Sequence, residues 1–309
     1  MAPNMWHGIL NINKERGMTS HQVVASLRQI LRQKAIGHTG TLDPEATGVL
    51  VVGLGQATRS FSFLDETKKC YQAELVFGQA TDTQDATGSI LFENKEVTFR
   101  HRSLLQAIAH LTGNIDQIPP MYSAVKVQGR KLYDLARKGE VIERDARPIK
   151  VYQWECLNPQ DTYGYCDRLA VKIICSKGTY IRTLIHDLGE LLGCGAHMGS
   201  LVRLQSGVFQ IADSITLATV KELLSQDQLA ERLITINEAL SHFEALSLDD
   251  EDSVKVLNGG KISTAKYPAE PGTTVVRMID HTSTVIAIAE LHNKETHNYW
   301  QPVKVFRYE

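Results

Sequence analysis

Apolar and polar positions follow regular periods in the amino-terminal part of the chain, and these periods predict its elements. The segment SHQVVASLRQILR repeats apolar side chains at helical spacing, which indicates an amphipathic helix capped by Thr19 or Ser20. The run VLVVGLG, from Val49, is apolar throughout and predicts a buried strand. The alternating segment CYQAELVF predicts a further strand. One face of that strand carries Tyr71, Ala73, Leu75 and Phe77.

The middle of the chain continues with the same kinds of pattern. RSLLQAIAHLTG predicts a helix with Gly113 as its C-cap, and RLAVKIICS, residues 168–176, predicts a strand. That strand runs through KGTY into a helix whose apolar face is formed by Ile181, Leu184, Ile185, Leu188, Leu191 and Leu192. Because the strands are spaced irregularly and several alternate, we expect an α+β fold with a mixed, mainly antiparallel sheet and flanking helices.

The last part of the chain differs in composition and indicates a second domain. Residues 225–252 carry eight acidic side chains and one basic one, and this stretch predicts a linker or boundary. The runs TTVVRMI, STVIAIAEL and PVKVFRY follow it and indicate a small β-rich unit. We therefore predict a domain at residues 1–245, with an inserted segment at about 122–150, and a small domain at 246–309.

Composition is typical of a cytoplasmic globular protein. The 309 residues are 43% hydrophobic and 22% charged, with no membrane-length apolar run and no secretion signal at the start. The five cysteines are scattered and odd in number, which favours reduced thiols over a disulfide framework. His186, Cys194 and His197 cluster in sequence, but no second close pair completes a tetrahedral set, so no metal site is predicted.

Charge is unevenly distributed along the chain. The total is −2, and the acidic stretch at 225–252 contributes −7, so the remainder carries +5. Residues 126–150 hold eight basic and four acidic side chains, a net of +4, with tyrosine among them. A local basic surface is sufficient to contact phosphates. Mixed charge of this kind is also common on a solvated helix face.

The segment GHTGTLDPEATGVL contains two acidic side chains, Asp43 and Glu45, among glycines, threonines and small apolar residues. An Asp-Pro step is a frequent turn signal, and the residue before proline is excluded from helical backbone. Asp43 is therefore either a turn residue or a reactive carboxylate presented on an extended backbone.

Four motifs in order resemble the TruB family of tRNA pseudouridine synthases. They are GHTGTLDPEATGVL, KKCYQAELVFGQATDTQDATG, the segment IPPMYSAVKVQGRKLYDLARKGE with ARPI, and SKGTYIRTLIHDLGELLGCGAH. Together they lie within the first 210 residues. The KERGMTS segment departs from the family's usual Lys-Pro-x-Gly opening but keeps Lys14 and Gly17. The end of the chain resembles a PUA domain, an RNA-binding β-barrel.

This resemblance implies a pseudouridine synthase fold and isomerisation of uridine 55 in the TΨC loop of tRNA. It implies no cofactor and no metal, since nothing is oxidised and no group is imported. The partner is tRNA, bound through its T-arm, without a membrane, a guide RNA or an obligatory protein partner, and a monomer is expected. The target base is stacked in a folded loop, so it must be flipped into a pocket.

The resemblance also implies roles for individual residues. Asp43 is the catalytic carboxylate, acting by covalent attack at C1′ or by removing a C2′ proton to give a glycal. Arg182 supplies the counter-charge that keeps Asp43 ionised, and Tyr71 stacks on the flipped uracil. The other substrate-binding residues are Tyr180, His38 and Leu201. The predicted RNA-phosphate contacts are Lys14, Lys69, Lys126, Arg130, Lys131 and Arg137.

Three alternatives stay open at the level of sequence. A non-catalytic RNA-binding protein on the same scaffold would tolerate loss of Asp43 and Arg182, and both are present. A guide-RNA-dependent synthase would need partner proteins, and the basic insertion argues against this. A glycosidase would use Asp43 and Glu45 as its two carboxylates, although nothing places both on one substrate.

Overall fold

The computed structural model describes residues 5–65, 67–123, 126–127, 129–136, 139–140, 142–293 and 298–308. Its chain divides into two compact units. The first unit comprises Met1–Pro44, Gly48–Asp65 and Val208–Glu309, and the second comprises Glu45–Thr47 and Glu66–Gly207. Within the described ranges, no helix is long and apolar enough to cross a membrane.

The described residues form α-helices and strands in the following order. The helices are Ser20–Leu31 (α1), His101–His110 (α2), Leu132–Ala136 (α3), Ile181–Leu191 (α4), Leu217–Ser225 (α5), Ile236–Ala239 (α6) and Asp250–Leu257 (α7). The first ten strands are Gly8–Lys14 (β1), Ile36–Thr39 (β2), Thr47–Leu54 (β3), Lys68–Phe77 (β4), Gln79–Thr81 (β5), Ile90–Glu93 (β6), Thr98–Arg100 (β7), Gly113–Gln117 (β8), Lys126–Val127 (β9) and Arg130–Lys131 (β10). The remainder are Arg147–Cys156 (β11), Thr162–Gly164 (β12), Arg168–Ser176 (β13), Ala196–Ser206 (β14), Phe209–Gln210 (β15), Glu244–Ser247 (β16), Ile262–Ser263 (β17), Val275–Ile279 (β18), Val285–Asn293 (β19) and Asn298–Val305 (β20).

Strand β3 is covered on both faces, and this accounts for its unbroken apolar sequence. It pairs antiparallel with β1 and β2 in the first unit. Leu50 and Val52 point into one hydrophobic cluster, and Val49 and Val51 point into another. Successive side chains of a strand face opposite sides, so a strand buried on both sides needs apolar residues at every position.

Helix α1 follows the predicted pattern. Thr19 is its N-cap and forms a capping box with Gln22, whose backbone N–H donates to the Thr19 hydroxyl at 3.1 Å. The buried stripe Val23, Val24, Leu27 and Leu31 packs into the same cluster as Leu50 of β3. Burying this stripe fixes the helix against strands β1 and β3, since packing rather than propensity stabilises most protein helices.

The carboxyl-terminal strands form a five-stranded sheet in the order β16-β18-β19-β20-β17. Its neighbouring strands are antiparallel except for the parallel pair β16 and β18. This sheet confirms the predicted β-rich end of the chain. Within the first unit, Val285, Ile288 and Phe306 share a hydrophobic cluster with Ile9 of β1 and Val51 of β3.

The acidic stretch at 225–252 is folded, and the expectation of a linker there is wrong. It contains α6, β16 and the start of α7, and Ile236, Ala239 and Leu240 are buried in the cluster shared with β1 and β3. Asp252 is buried and the other seven acidic side chains of the stretch are exposed. Asp249 caps α7 by accepting from the Asp252 N–H at 2.9 Å. The domain boundary at residue 245 stays a prediction.

The second unit is built on an antiparallel sheet in the order β14-β4-β13-β11-β8. Strand β4 lies inside this sheet, and its predicted face is buried at Tyr71, Ala73, Leu75 and Phe77. Helix α4 packs against β14 and β4. The mixed, mainly antiparallel α+β architecture predicted from the sequence is therefore confirmed.

Two details of the helices in this unit differ from the sequence prediction. Helix α2 ends at a cap on Leu111, and Gly113 instead opens β8 with a φ of 104°. That left-handed backbone suits glycine, so the glycine marks the turn into a strand rather than the helix cap. The sequence pattern places Leu191 on the buried face of α4, but this residue ends the helix and is 53% exposed.

Gly189 allows α4 to lie in backbone contact with β14, and we predict that Gly189→Ala lowers the melting temperature. An added Cβ would lie 2.1 Å from the backbone nitrogen of Ala196, so either the helix or the strand must move. Overpacking of this kind costs about 1–3 kcal/mol or more. Gly164→Ala is the matched control, since its Cβ would meet neighbours only at 3.6 Å. Equal melting temperatures for the two variants, measured by circular dichroism, would contradict the assigned contact.

Candidate active site

The Asp43 loop belongs to the first unit and is held on both sides of the aspartate. Before it, the Ser20 hydroxyl accepts from the Leu42 N–H at 2.9 Å and donates to the Leu42 carbonyl at 3.1 Å. After it, the Pro44 carbonyl accepts from the Gly17 N–H at 2.9 Å and from the Lys14 ammonium at 3.0 Å. Asp43 itself is half-buried. The loop therefore has fixed ends around a carboxylate that retains some exposure.

Lys14 has a structural position that does not suit the predicted phosphate contact. It is 0% exposed, and its ammonium donates to the carbonyls of Glu15 at 2.9 Å and Met18 at 2.6 Å as well as to Pro44. A buried ammonium needs such acceptors, and an incoming phosphate would have to displace them. Lys14 thus supports the Asp43 loop, and its phosphate-contact role stays a prediction.

His38 is carried by β2, the strand that precedes the Asp43 loop. It is half-buried and lies opposite Val52 of β3. Its neighbour Gly37 lies opposite Gly53, and the ring of Phe61 covers both glycines, since a Cβ on Gly53 would lie 2.5 Å from that ring. This packing fixes β2, and with it the position from which His38 projects.

In the second unit, Tyr71 and Leu201 lie on the same face of the sheet. Leu201 of β14 is opposite Ala73, and Arg203 is opposite Tyr71. Residues directly opposite on paired strands share a face. Tyr71 is 7% exposed, Leu201 8% and Arg203 1%. The structure thus brings together two predicted substrate-binding residues and adds a buried arginine beside them.

Arg182 lies in the first turn of α4 and is almost entirely buried. Its Nη2 donates to the carbonyl of Tyr122 at 2.6 Å, and its Nη1 lies 3.8 Å from Oδ2 of Asp85. The second distance is that of an ion pair rather than of a direct hydrogen bond. A buried guanidinium is costly unless it is paired, and a cation near a helix N-terminus opposes the helix dipole. Asp85 offsets both costs.

Asp85 was not among the predicted site residues, although its TDTQD motif was recognised. Its Oδ1 accepts from the Thr83 hydroxyl at 2.7 Å, the Thr87 N–H at 2.9 Å and the Thr87 hydroxyl at 2.5 Å. This arrangement directs Oδ2 towards Arg182. Aspartate and threonine recur here because their side chains close a tight polar turn. The spacing indicated a turn but did not indicate its ionic partner.

The same turn is fixed to β14 and to α4. Gln84, with a φ of 64°, accepts from the Met198 N–H through its carbonyl at 3.0 Å, and its side-chain oxygen accepts from the Thr183 hydroxyl at 2.7 Å. The Arg182–Asp85 pair is therefore held between a strand and a helix.

Tyr180 is the N-cap residue of α4 and is held by Gln117 at the end of β8. The Gln117 side chain accepts from the Tyr180 N–H at 2.8 Å and donates to the Tyr180 carbonyl at 3.0 Å. Gln117 is 2% exposed, so this pair of bonds is shielded from water. The Tyr180 side chain itself is half-buried. Its backbone position is therefore well determined at the start of the helix that carries Arg182.

The remaining predicted phosphate contacts have different settings. Lys69 of β4 is only 6% exposed. The backbone of Lys126, Arg130 and Lys131 forms the short β9–β10 pair in the inserted segment, with Lys126 opposite Lys131. Arg137 lies outside the described residues. The phosphate-contact roles of these five residues stay predictions.

Buried thiols in the second unit are poor nucleophiles, because burial raises their pKa values. Burial raises the pKa of Cys175 to about 12 and that of Cys194 to about 11. Burial also raises the pKa of Cys70, next to Tyr71. The reactive form of cysteine is the thiolate, so these groups stay protonated near neutral pH.

Comparison with known families and proteins identifies the family of this chain. The model of the TruB family pseudouridylate synthase N-terminal domain matches residues 28–181. The tRNA pseudouridylate synthase B C-terminal domain matches residues 182–245. The chain is 39% identical over 301 residues to tRNA pseudouridine synthase B of Bacillus cytotoxicus, covering 96% of each. It is 40% identical over 305 residues to the protein of that name from Staphylococcus saprophyticus, covering 98% of this chain and 100% of the other.

Solved structures share the fold. The chain aligns with a TM-score of 0.71 and 24% identity to a chain of an H/ACA RNP bound to a substrate RNA containing 2′-deoxyuridine. That alignment covers 97% of this chain and 85% of the other. A chain of a Cbf5-Nop10-Gar1 complex aligns with a TM-score of 0.70 and 25% identity over 99% of this chain and 86% of the other. The predicted fold family is thereby confirmed.

Proposed function

This chain belongs to the TruB family of pseudouridylate synthases, and we propose that it isomerises uridine 55 in the TΨC loop of tRNA to pseudouridine. The observation that carries the proposal is identity with curated tRNA pseudouridine synthases B over almost the whole chain. Two observations support the proposed roles of Asp43 and Arg182: hydrogen bonds hold the backbone on either side of Asp43, and Arg182 is paired with Asp85.

The reaction exchanges one bond to the sugar for another. The base is flipped out of its loop, the N1–C1′ bond breaks, the uracil turns, and a C5–C1′ bond forms. The C5 proton is then lost, and N1 regains a proton, so the product is an isomer of the substrate. Asp43 acts at the sugar, either by covalent attack at C1′ or by removal of a C2′ proton to give a glycal.

Arg182 is the counter-charge of Asp43 in this proposal. Its guanidinium is already oriented by the Tyr122 carbonyl and by Asp85, so little ordering is needed when the carboxylate reacts. A neighbouring cation favours the ionised form of a carboxylate, which is the form that both routes require. The flipped uracil stacks on Tyr71, and Leu201 lines the same face of the sheet. Tyr180 and His38 contact the opened loop of the RNA.

The partners proposed for this chain are fewer than those named for its solved neighbours. Those structures are complexes named H/ACA RNP and Cbf5-Nop10-Gar1. We propose that this chain acts as a monomer in the cytoplasm, without a guide RNA or a protein partner. The inserted segment supports this view, because residues 126–150 carry a net charge of +4 and would hold the T-arm directly.

A direct test uses the purified chain alone. We expect both a tRNA transcript and an isolated T-arm stem-loop to gain pseudouridine in the TΨC loop, without added nucleotide, cofactor, guide RNA or other protein. The stem-loop folds in monovalent salt, so it also allows the reaction to be run without added metal. Nucleotide-resolution mapping of pseudouridine identifies the site. Modification only at another position, or only with a guide RNA present, would overturn the proposal.

A further inference from the structure

The hydroxyl of Ser20 has no function in its own helix. Helix α1 is capped by the neighbouring Thr19, whose hydroxyl accepts from the Gln22 N–H and completes a capping box. Ser20 is 1% exposed and directs its hydroxyl away from the helix, to the backbone of Leu42 across 22 positions of sequence. The two adjacent hydroxyls at the start of α1 therefore have different roles: that of Thr19 caps the helix, and that of Ser20 bonds to Leu42.

Both bonds of Ser20 go to the residue that precedes Asp43. The hydroxyl satisfies the donor and the acceptor of Leu42 at once, at 2.9 and 3.1 Å. Leu42 is 3% exposed, so water does not readily replace either bond. On the other side of Asp43, the Pro44 carbonyl is held by Gly17 and Lys14. Ser20 thus holds the backbone on the amino-terminal side of Asp43.

We propose that Ser20 is a positioning residue for Asp43. The proposal rests on the catalytic role proposed above for Asp43. Gly17 and Lys14 then hold the carboxyl-terminal side of the Asp43 loop, and Ser20 holds its amino-terminal side. Displacing a reacting group by about 1 Å can reduce the rate about 10²-fold, so the Ser20 hydroxyl affects the chemical step without touching the RNA.

The first test compares two neighbouring hydroxyl deletions, Ser20→Ala and Thr19→Ala. Both remove one hydroxyl at the start of α1, and both are expected to lower the melting temperature. We expect Ser20→Ala to reduce the single-turnover rate of pseudouridine formation about 10- to 100-fold, with the Kd for tRNA within about twofold of wild type. Thr19→Ala should keep the wild-type rate. A Ser20→Ala rate equal to wild type, or an equal loss in Thr19→Ala, overturns the proposal.

A second pair of variants separates the hydroxyl from the shape of the side chain. Threonine and valine have the same size, and only threonine keeps the hydroxyl. We expect Ser20→Thr to be at least about tenfold faster than Ser20→Val in single turnover, with melting temperatures measured on the same preparations. Equal rates for the two would show that packing alone matters and would overturn the positioning role.

The failure of this inference is distinct from failure of the proposed function. Turnover by Asp43→Asn removes Asp43 from the chemistry and ends both proposals. An inactive Asp43→Asn combined with a fully active Ser20→Ala leaves the proposed function in place and rejects the role of Ser20 alone.

Discussion

We expect that replacing Asp43 with asparagine abolishes pseudouridine formation while tRNA binding persists. Asparagine keeps the size of the side chain and its place between Leu42 and Pro44, but it has neither the nucleophilic carboxylate nor a base for C2′. We expect the single-turnover rate to fall by at least about 10⁴-fold, as when a reacting group is removed from other enzymes. Filter binding should give a Kd for tRNA within about threefold of wild type, since RNA affinity comes mainly from phosphate contacts.

The matched control for this variant is Glu45→Gln. Glu45 is exposed, is separated from Asp43 by Pro44, and would be the second carboxylate of a glycosidase-like site. We expect Glu45→Gln to retain turnover within about threefold of wild type, because one carboxylate at the sugar is sufficient for either route. Equal loss of activity in both variants would show that the pair acts together and would contradict the single-carboxylate mechanism.

The second large effect is expected at Arg182. Lysine in its place keeps the positive charge but has no planar fork, so it cannot both hold the Tyr122 carbonyl and pair with Asp85. We expect Arg182→Lys to lower kcat about 10²- to 10³-fold, the range seen when one preorganised electrostatic group is lost. The change in KM should be small, because the guanidinium is buried and is not a surface phosphate contact.

Asp85→Asn tests whether the orientation of Arg182 is the cause of this effect. Asparagine retains the oxygen that accepts from Thr83 and Thr87, but it replaces the charged Oδ2 that faces the guanidinium with an amide NH2. We expect an intermediate loss of kcat, about 10- to 100-fold, with the turn still folded. Thr183→Val is the control, since it breaks the adjacent bond to Gln84 and leaves the ion pair in place. The orientation argument fails if Thr183→Val is as slow as Asp85→Asn.

The sequence pattern is sufficient to predict an element wherever the buried residues recur at the helical or strand period. The spacing of apolar residues predicts the buried stripe of α1, the doubly buried strand β3 and the alternating face of β4. In each case the period of the apolar residues matches the faces of the element that are buried. Prediction was poorer at ends and boundaries. The sequence pattern predicts Gly113 as a helix cap, whereas the residue starts β8, since a glycine with positive φ suits either position.

The sequence by itself determined the fold class, the elements around the site and, through its ordered motifs, the candidate carboxylate Asp43 and its predicted partners. The tertiary structure decided which polar groups are buried and what they bond. It alone showed Lys14 inside the protein, Ser20 bonded to Leu42, and Arg182 bonded to Tyr122 across 60 positions of sequence and paired with Asp85. A buried polar group must find a partner, and that partner usually comes from a distant segment, so no local pattern identifies it.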